Sequence, residues 1–178
     1  TPSRPKPRLI VQKGLERLNP IAVSPDGRYM AISNKLFLLP SAAELKSFDQ
    51  KPIVKSQAFG PGGRLLATGS DDGVVRLWDI VSGKVVKRWM AHPNHRYVET
   101  LVFAPDGKTI ITGSADKTVK VWDAATGALL RTLRQPAEVG TLSLSRDGSV
   151  LAIGLWGTAT ILLDPRDGRV LQELQHEQ

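Results

Sequence analysis

Residues 68–79 of this 178-residue chain read Thr-Gly-Ser-Asp-Asp-Gly-Val-Val-Arg-Leu-Trp-Asp, and residues 112–123 read Thr-Gly-Ser-Ala-Asp-Lys-Thr-Val-Lys-Val-Trp-Asp. The two closing Trp-Asp pairs lie 44 residues apart, and a Leu-Asp pair at 163–164 follows 41 residues later. An apolar run that ends in a similar dipeptide at a near-constant spacing indicates an internal repeat.

A four-residue turn signal recurs in the same register. It reads Ser-Pro-Asp-Gly at 24–27, Gly-Pro-Gly-Gly at 60–63, Ala-Pro-Asp-Gly at 104–107 and Ser-Arg-Asp-Gly at 145–148. Proline at the second position presets φ, and glycine at the fourth suits the close of a type I turn. Two independent landmarks thus share a period of about 40 residues, which is typical of a solenoid or a propeller.

Each repeat contains four short runs rich in Val, Ile, Leu and Thr, the composition of β-strands. A glycine or proline interrupts nearly every ten residues, which argues against helices. In the first unit only the strand 29–33 is clear. In the other three units we predict strands at 53–59, 64–68, 74–78 and 84–89; at 98–103, 109–113, 118–122 and 128–133; and at 139–144, 150–154, 160–163 and 169–174.

The stretches 68–79 and 112–123 resemble the WD40 repeat, whose signature is highly specific. The resemblance covers the second and third units fully, the fourth with degenerate positions, and the first through its turn and one strand. It implies an all-β fold, a β-propeller of WD40-type four-stranded antiparallel blades around a central channel. We expect a propeller segment over 18–178, with four blades at about 18–50, 51–91, 92–135 and 136–178.

In this family, buried polar side chains within a blade form a network in which each polar group is hydrogen-bonded. The fourth unit carries Leu163 and Gly157 where the network has Trp and Asp, and the second unit lacks the histidine. We therefore expect the third blade to be the most rigid. The matching residues of the third and then the second unit are His92, Thr112 or Ser114, Asp116 and Trp122; Ser70, Asp72 and Trp78.

WD40 propellers commonly close with more than four blades, so we expect the four blades of this chain to form an incomplete ring. An open half-ring would expose edge strands and apolar surface that native proteins cover. We expect this chain to be half of a larger ring or a segment of one, completed by a second copy, by another polypeptide or by the remainder of a longer chain. The basic N-terminal segment, 1–17, contains a predicted strand at 8–13 that reads like the outer strand of a preceding blade.

The composition excludes several classes of function. The chain has no cysteine, so it forms no disulfide, thiolate metal site or cysteine nucleophile. Hydrophobic residues make up 41% and charged residues 23%, as in ordinary globular proteins. No apolar run is long enough to span a bilayer and no secretory signal is visible, so we expect a soluble cytoplasmic protein without a membrane span.

No catalytic or metal-binding constellation stands apart from the repeat. His92 and His95 are spaced as metal ligands can be, but no third ligand is identifiable. Asp71 and Asp72 are adjacent carboxylates, and the repeat accounts for both as turn residues. We predict a protein that is not an enzyme and that needs no cofactor or metal.

Partners of this family often dock on the narrower top face of the propeller. Trp156 replaces a small or acidic turn residue there, so it is either an interface anchor or a plug that fills space in a degenerate blade. Trp89, on an outer strand, is expected to pack between blades. The resemblance assigns these positions to the top face: Arg17, Asn19, Ile53, Lys55, Asp71, Tyr97, Glu99, Ala115, Glu138 and Trp156.

We predict a non-catalytic scaffold that binds other proteins on this face. The net charge of +7, with Lys84, Lys87 and Arg88 together on one outer strand, leaves a second hypothesis, a basic module that binds RNA or another polyanion. The charges lack the interleaved aromatic residues that stack on bases, which favours protein binding. A third hypothesis is a regulatory or recruiting domain of a larger protein.

Overall fold

The computed structural model describes residues 20–49, 51–93, 97–157 and 159–175, and within these ranges it contains sixteen strands and no helix. The strands form four antiparallel sheets of four, each built from strands consecutive in the chain, which confirms the prediction of four-stranded blades. Blade 1 contains β1–β4, blade 2 β5–β8, blade 3 β9–β12 and blade 4 β13–β16. The strands are β1 (Ile21–Val23), β2 (Tyr29–Ile32), β3 (Lys35–Leu38), β4 (Ala43–Ser47), β5 (Val54–Phe59), β6 (Leu65–Ser70), β7 (Val74–Asp79), β8 (Lys84–Met90), β9 (Thr100–Phe103), β10 (Thr109–Ser114), β11 (Thr118–Asp123), β12 (Leu129–Arg134), β13 (Val139–Leu144), β14 (Leu151–Leu155), β15 (Ala159–Leu163) and β16 (Val170–Gln175).

The turn signal joins the first and second strands of every blade. Gly27, Gly63, Gly107 and Gly148 all have positive φ, between +68° and +73°. The amide of each donates a hydrogen bond of 2.9 Å to the carbonyl three residues earlier. Because an L side chain is strained at this φ, glycine fixes these turns and with them the register of the hairpins.

The blades pack side by side in chain order. Strand β1 lies against β5, β5 against β9 and β9 against β13, whereas no packing of similar extent joins β13 to β1 among the described residues. Three apolar cores fill the spaces between successive blades, and each contains a residue that precedes the repeat's Asp: Trp78, Trp122 and Leu163. The predicted strand at 8–13 lies outside the described residues.

Glycines on the second strands let neighbouring blades approach closely. A Cβ on Gly69 would lie 2.4 Å from Val98 of blade 3, and one on Gly113 would lie 2.5 Å from Val139 of blade 4. Gly154 has the same register in blade 4, but a Cβ there would meet only Thr141 of its own blade. Blade 4 therefore repeats the notch of the other two without a described neighbour to fill it.

Candidate functional site

A buried polar network connects the strands of blade 3. His92 Nε2 lies 2.9 Å from Thr112 Oγ1, and His92 Nδ1 lies 2.8 Å from Asp116 Oδ2. Trp122 Nε1 donates to the same Thr112 oxygen at 2.9 Å. The structure thus brings together four of the five residues assigned to this network, with Thr112 at its centre.

The Asp116 carboxylate fixes the direction of these bonds. When ionised it can only accept, so His92 Nδ1 carries a proton and donates to it. In a neutral imidazole Nε2 then accepts the hydroxyl of Thr112, whose oxygen also accepts the indole N–H of Trp122. Burial raises the pKa of Asp116, but hydrogen bonds from His92 and Thr118 outweigh it and lower the pKa to about 2.

Ser114, the alternative to Thr112 in the prediction, does something else. Its hydroxyl accepts the backbone N–H of Asp116 at 3.2 Å and so supports the turn between β10 and β11. Residues two apart on a strand share a face, which is why the sequence left the two hydroxyls as alternatives.

Blade 2 keeps only part of this arrangement. Trp78 Nε1 donates to Thr68 Oγ1 at 3.0 Å, so Thr68 and not Ser70 holds the indole. Thr68 was not among the predicted network residues, although it aligns with Thr112 in the repeated Thr-Gly-Ser. Without a histidine to bind, Asp72 accepts two bonds from the Arg76 guanidinium, of 2.6 and 3.2 Å.

Aromatic side chains from outer strands or their ends cover the two tryptophans. The ring of Trp89 lies 6.0 Å from that of Trp122, so it packs between blades 2 and 3. Phe48, just after β4, lies 5.0 Å from Trp78 between blades 1 and 2. Both pairs are tilted, an arrangement that stabilises aromatic contacts beyond the area they bury.

The top-face residues cluster at one end of the blades. The amide of Ile53 donates to the Asp71 carboxylate at 3.0 Å, and the Asp71 amide donates back to the Ile53 carbonyl at 3.0 Å. The Trp156 amide likewise donates to the Glu138 carbonyl at 2.9 Å. Each pair joins the start of a first strand to the turn between the second and third strands, so all of these residues share one end, here called the top rim.

Three large side chains of the top rim are exposed: Ile53 by 51%, Tyr97 by 41% and Trp156 by 66%. The Lys55 ammonium lies 4.7 Å from the Tyr97 ring centroid, and this cation–π contact joins blades 2 and 3. At 66% exposure the Trp156 ring lies on the surface, over Gly140, which favours the anchor interpretation over the plug. Of the other assigned residues, Glu138 is exposed, Asp71, Glu99 and Ala115 are half-buried, and Arg17 and Asn19 lie outside the described residues.

The described ranges contain no group of three or more His, Cys, Asp or Glu side chains arranged to hold a metal ion. Within the same ranges, no helix has the length and apolar character needed to cross a membrane.

Comparison with known proteins agrees with the fold. The family model of the "WD domain, G-beta repeat" matches residues 43–79 and 83–123. Each match begins in or just before the outer strand of one blade and ends with the third strand of the next, so one repeat links two blades. The chain contains two WD40 repeats, at 43–79 and 83–123, and its four sheets are consistent with WD40 propeller blades.

Among curated proteins the chain is similar to "WD repeat-containing protein 91 homolog" of Dictyostelium discoideum, at 32% identity over 44% of this chain and 12% of that protein. It is also similar to "Ribosome biogenesis protein erb1" of Neosartorya fischeri, at 44% identity over 26% of this chain and 7% of that protein. It therefore spans a small part of the length of the relatives it matches. WD40 repeats are typically non-catalytic and typically bind other proteins.

Proposed function

We propose that this chain is a protein-interaction scaffold whose top rim binds partner proteins. The observation that carries the proposal is the exposure of Trp156 in a turn that its own backbone hydrogen bond to Glu138 holds in place. Exposed tryptophan and tyrosine side chains on a rigid support are typical centres of protein interfaces, because they bury much area at little entropic cost. Tyr97, held by Lys55, and Ile53 extend the apolar surface.

Replacing Trp156 with alanine should weaken partner binding strongly while leaving the fold intact. The indole makes no side-chain hydrogen bond to another described residue and is mostly solvent-exposed, so its removal costs little stability. Losing a central aromatic anchor typically costs at least about 2 kcal/mol of binding, or roughly 30-fold in affinity. The measurement is titration calorimetry with proteins that the immobilised wild-type chain retains at 0.5 M salt.

The matched control is Val81→Ser, which removes an exposed apolar side chain, 71% accessible, at the opposite end of blade 2. The proposal requires this variant to bind as the wild type does. If the Trp156→Ala variant bound partners as tightly as the wild type, the result would contradict the top-rim proposal. Affinity that falls steeply with salt would instead favour the polyanion hypothesis.

We also propose that a second copy of the chain covers the free face of blade 4 and so completes the ring. Ser56 donates to the Val98 carbonyl of the next blade at 2.9 Å, and Thr100 accepts the Leu142 amide of the next blade at 3.2 Å. Thr141 occupies the same register in blade 4 and is exposed. The face thus has both the hydroxyl and the glycine notch that the other blades use to hold a neighbour.

Light scattering over a dilution series tests this assembly. We expect a particle of twice the 19.4 kDa chain mass for the wild type and a monomer for Leu162→Arg. Leu162 lies between Ile161 and Leu163, which both pack toward blade 3, so its side chain projects onto the free face. A stable wild-type monomer would exclude self-completion and leave another polypeptide or a longer chain. A cytoplasmic location stays a prediction.

A further inference from the structure

A basic cleft of about 680 Å³ opens between β7 and β8 of blade 2 and the segment that connects blade 1 to blade 2. Four of its lining residues are cationic, Lys51, Arg76, Lys87 and Arg88, and one, Asp49, is a carboxylate. Trp78, Val85 and Val86 contribute apolar walls. None of these residues belongs to the top rim, so the cleft is separate from the site proposed above.

Blade 2 lacks the histidine of blade 3, and an acidic residue at the equivalent position lines the cleft. The Ala91 amide bonds to the turn before β7, and the next residue, His92, fills the space beside Asp116. The Phe48 amide bonds in the same way to the turn before β3, so Asp49 follows where a histidine would stand. Asp49 is exposed and lines the cleft beside the cationic side chains.

Two arginines oppose each other directly in this cleft. In the β7–β8 register Arg76 faces Arg88, so both guanidinium groups emerge on one face of the blade. Like charges at such positions are destabilising. The equivalent pairs in the other blades carry no such repulsion, with Lys120 opposite Thr132 in blade 3 and Ile161 opposite Glu173 in blade 4.

Only part of the cleft's positive charge is compensated internally. Arg76 is paired with Asp72, with a shortest distance of 2.6 Å. Hydrogen bonds from Thr126 lower the pKa of Asp123 in blade 3, and the positive charge of Lys87 adds to this effect. The Lys87 charge is therefore partly compensated by a carboxylate of the neighbouring blade. Lys51 and Arg88 make no ion pair with another described residue. These two cations are free to bind a ligand.

We propose that the cleft binds a phosphorylated serine or threonine of a partner peptide. A phosphate monoester carries close to two negative charges and three acceptor oxygens, which suit a guanidinium fork with an ammonium beside it. The apolar walls would contact the peptide on either side of the phosphate. A nucleic acid fits less well, because Trp78 is 2% exposed and has no free face on which a base could stack.

The indole N–H resonances provide a direct test, because the chain has four tryptophans and only Trp78 lines the cleft. The probe is the blocked tripeptide acetyl-Gly-phosphoserine-Gly-amide, with its unphosphorylated form for comparison. We expect saturable shifts of the Trp78 indole and none of Trp156. Arg88→Gln and Lys51→Gln should each weaken binding by about tenfold, the usual effect of losing a hydrogen bond to a charged group.

The matched control is Lys84→Gln, which removes the same charge from β8 outside the cleft lining. Equal weakening by this variant would mean general charge attraction and would overturn the proposal, as would an absence of Trp78 shifts. If inorganic phosphate bound as tightly as the phosphopeptide, the peptide would add nothing to the affinity, which would overturn the proposal of a phosphopeptide ligand. Tighter competition by a uridine decanucleotide would assign the cleft to RNA. Trp156→Ala should leave phosphopeptide binding unchanged, so the two proposals fail separately.

Discussion

Replacing Gly113 with alanine is expected to lower the free energy of unfolding by about 2–3 kcal/mol. The added Cβ would lie 2.5 Å from Val139 Cγ1 and 2.9 Å from Thr100 Cγ2. Val139 is fully buried in the core between blades 3 and 4, so it cannot retreat without moving β13. Guanidinium unfolding followed by tryptophan fluorescence measures the change.

The same substitution in blade 4 serves as the control. A Cβ on Gly154 would meet only the Thr141 methyl group, at 2.5 Å, and Thr141→Ser removes that methyl group. In the Leu162→Arg background, where the free face of blade 4 is expected to stay uncovered, the double variant Gly154→Ala with Thr141→Ser should therefore cost less than about 1 kcal/mol, as is usual for exposed positions. Equal losses in the two blades would show that inter-blade contact does not explain the glycine at 113.

Replacing His92 with alanine is expected to destabilise the protein by about 3 kcal/mol. The imidazole is fully buried and bonds to Thr112 on one side and Asp116 on the other. Its removal leaves a cavity, an unsatisfied Thr112 hydroxyl and a carboxylate without its main donor. Thermal unfolding measures the loss, and a loss below about 1 kcal/mol would contradict a stabilising network.

The same network predicts a dependence on pH. The folded-state pKa of Asp116 is about 2 against an ordinary 3.8, so its contribution to stability is complete above pH 3.8 and is lost as the pH falls through 2. Asp116→Asn should therefore be less stable than the wild type at pH 7, and the difference should shrink between pH 4 and 2. The pKa values of Asp79, Asp147 and Asp164 are also lowered, so both proteins lose stability in acid. A difference that stays constant over this range would contradict the assignment.

The strand boundaries show where the local sequence pattern was sufficient to predict the ends of a strand and where it was not. The run at 139–144 is a strand over Val139–Leu144 as predicted, because alternation and turn residues both define it. The run at 98–103 begins as a strand only at Thr100. The Val98 amide donates to the Ser70 carbonyl, and the Val98 carbonyl accepts a hydrogen bond from the Ser56 hydroxyl. Both partners lie in blade 2, so Val98 is hydrogen-bonded to the neighbouring blade. A contact across 42 residues leaves no local signal.

The sequence alone determined the repeat, the four-stranded unit and the residues that can form the polar network, because turn glycines and apolar alternation act within about ten residues. Only the tertiary structure decided that Thr68 and Thr112 hold the indoles, that Trp156 is exposed, and that Arg76 and Arg88 line one cleft. These features depend on which blade lies beside which. Side-chain contact across a blade interface depends on three-dimensional proximity, and sequence spacing does not encode it.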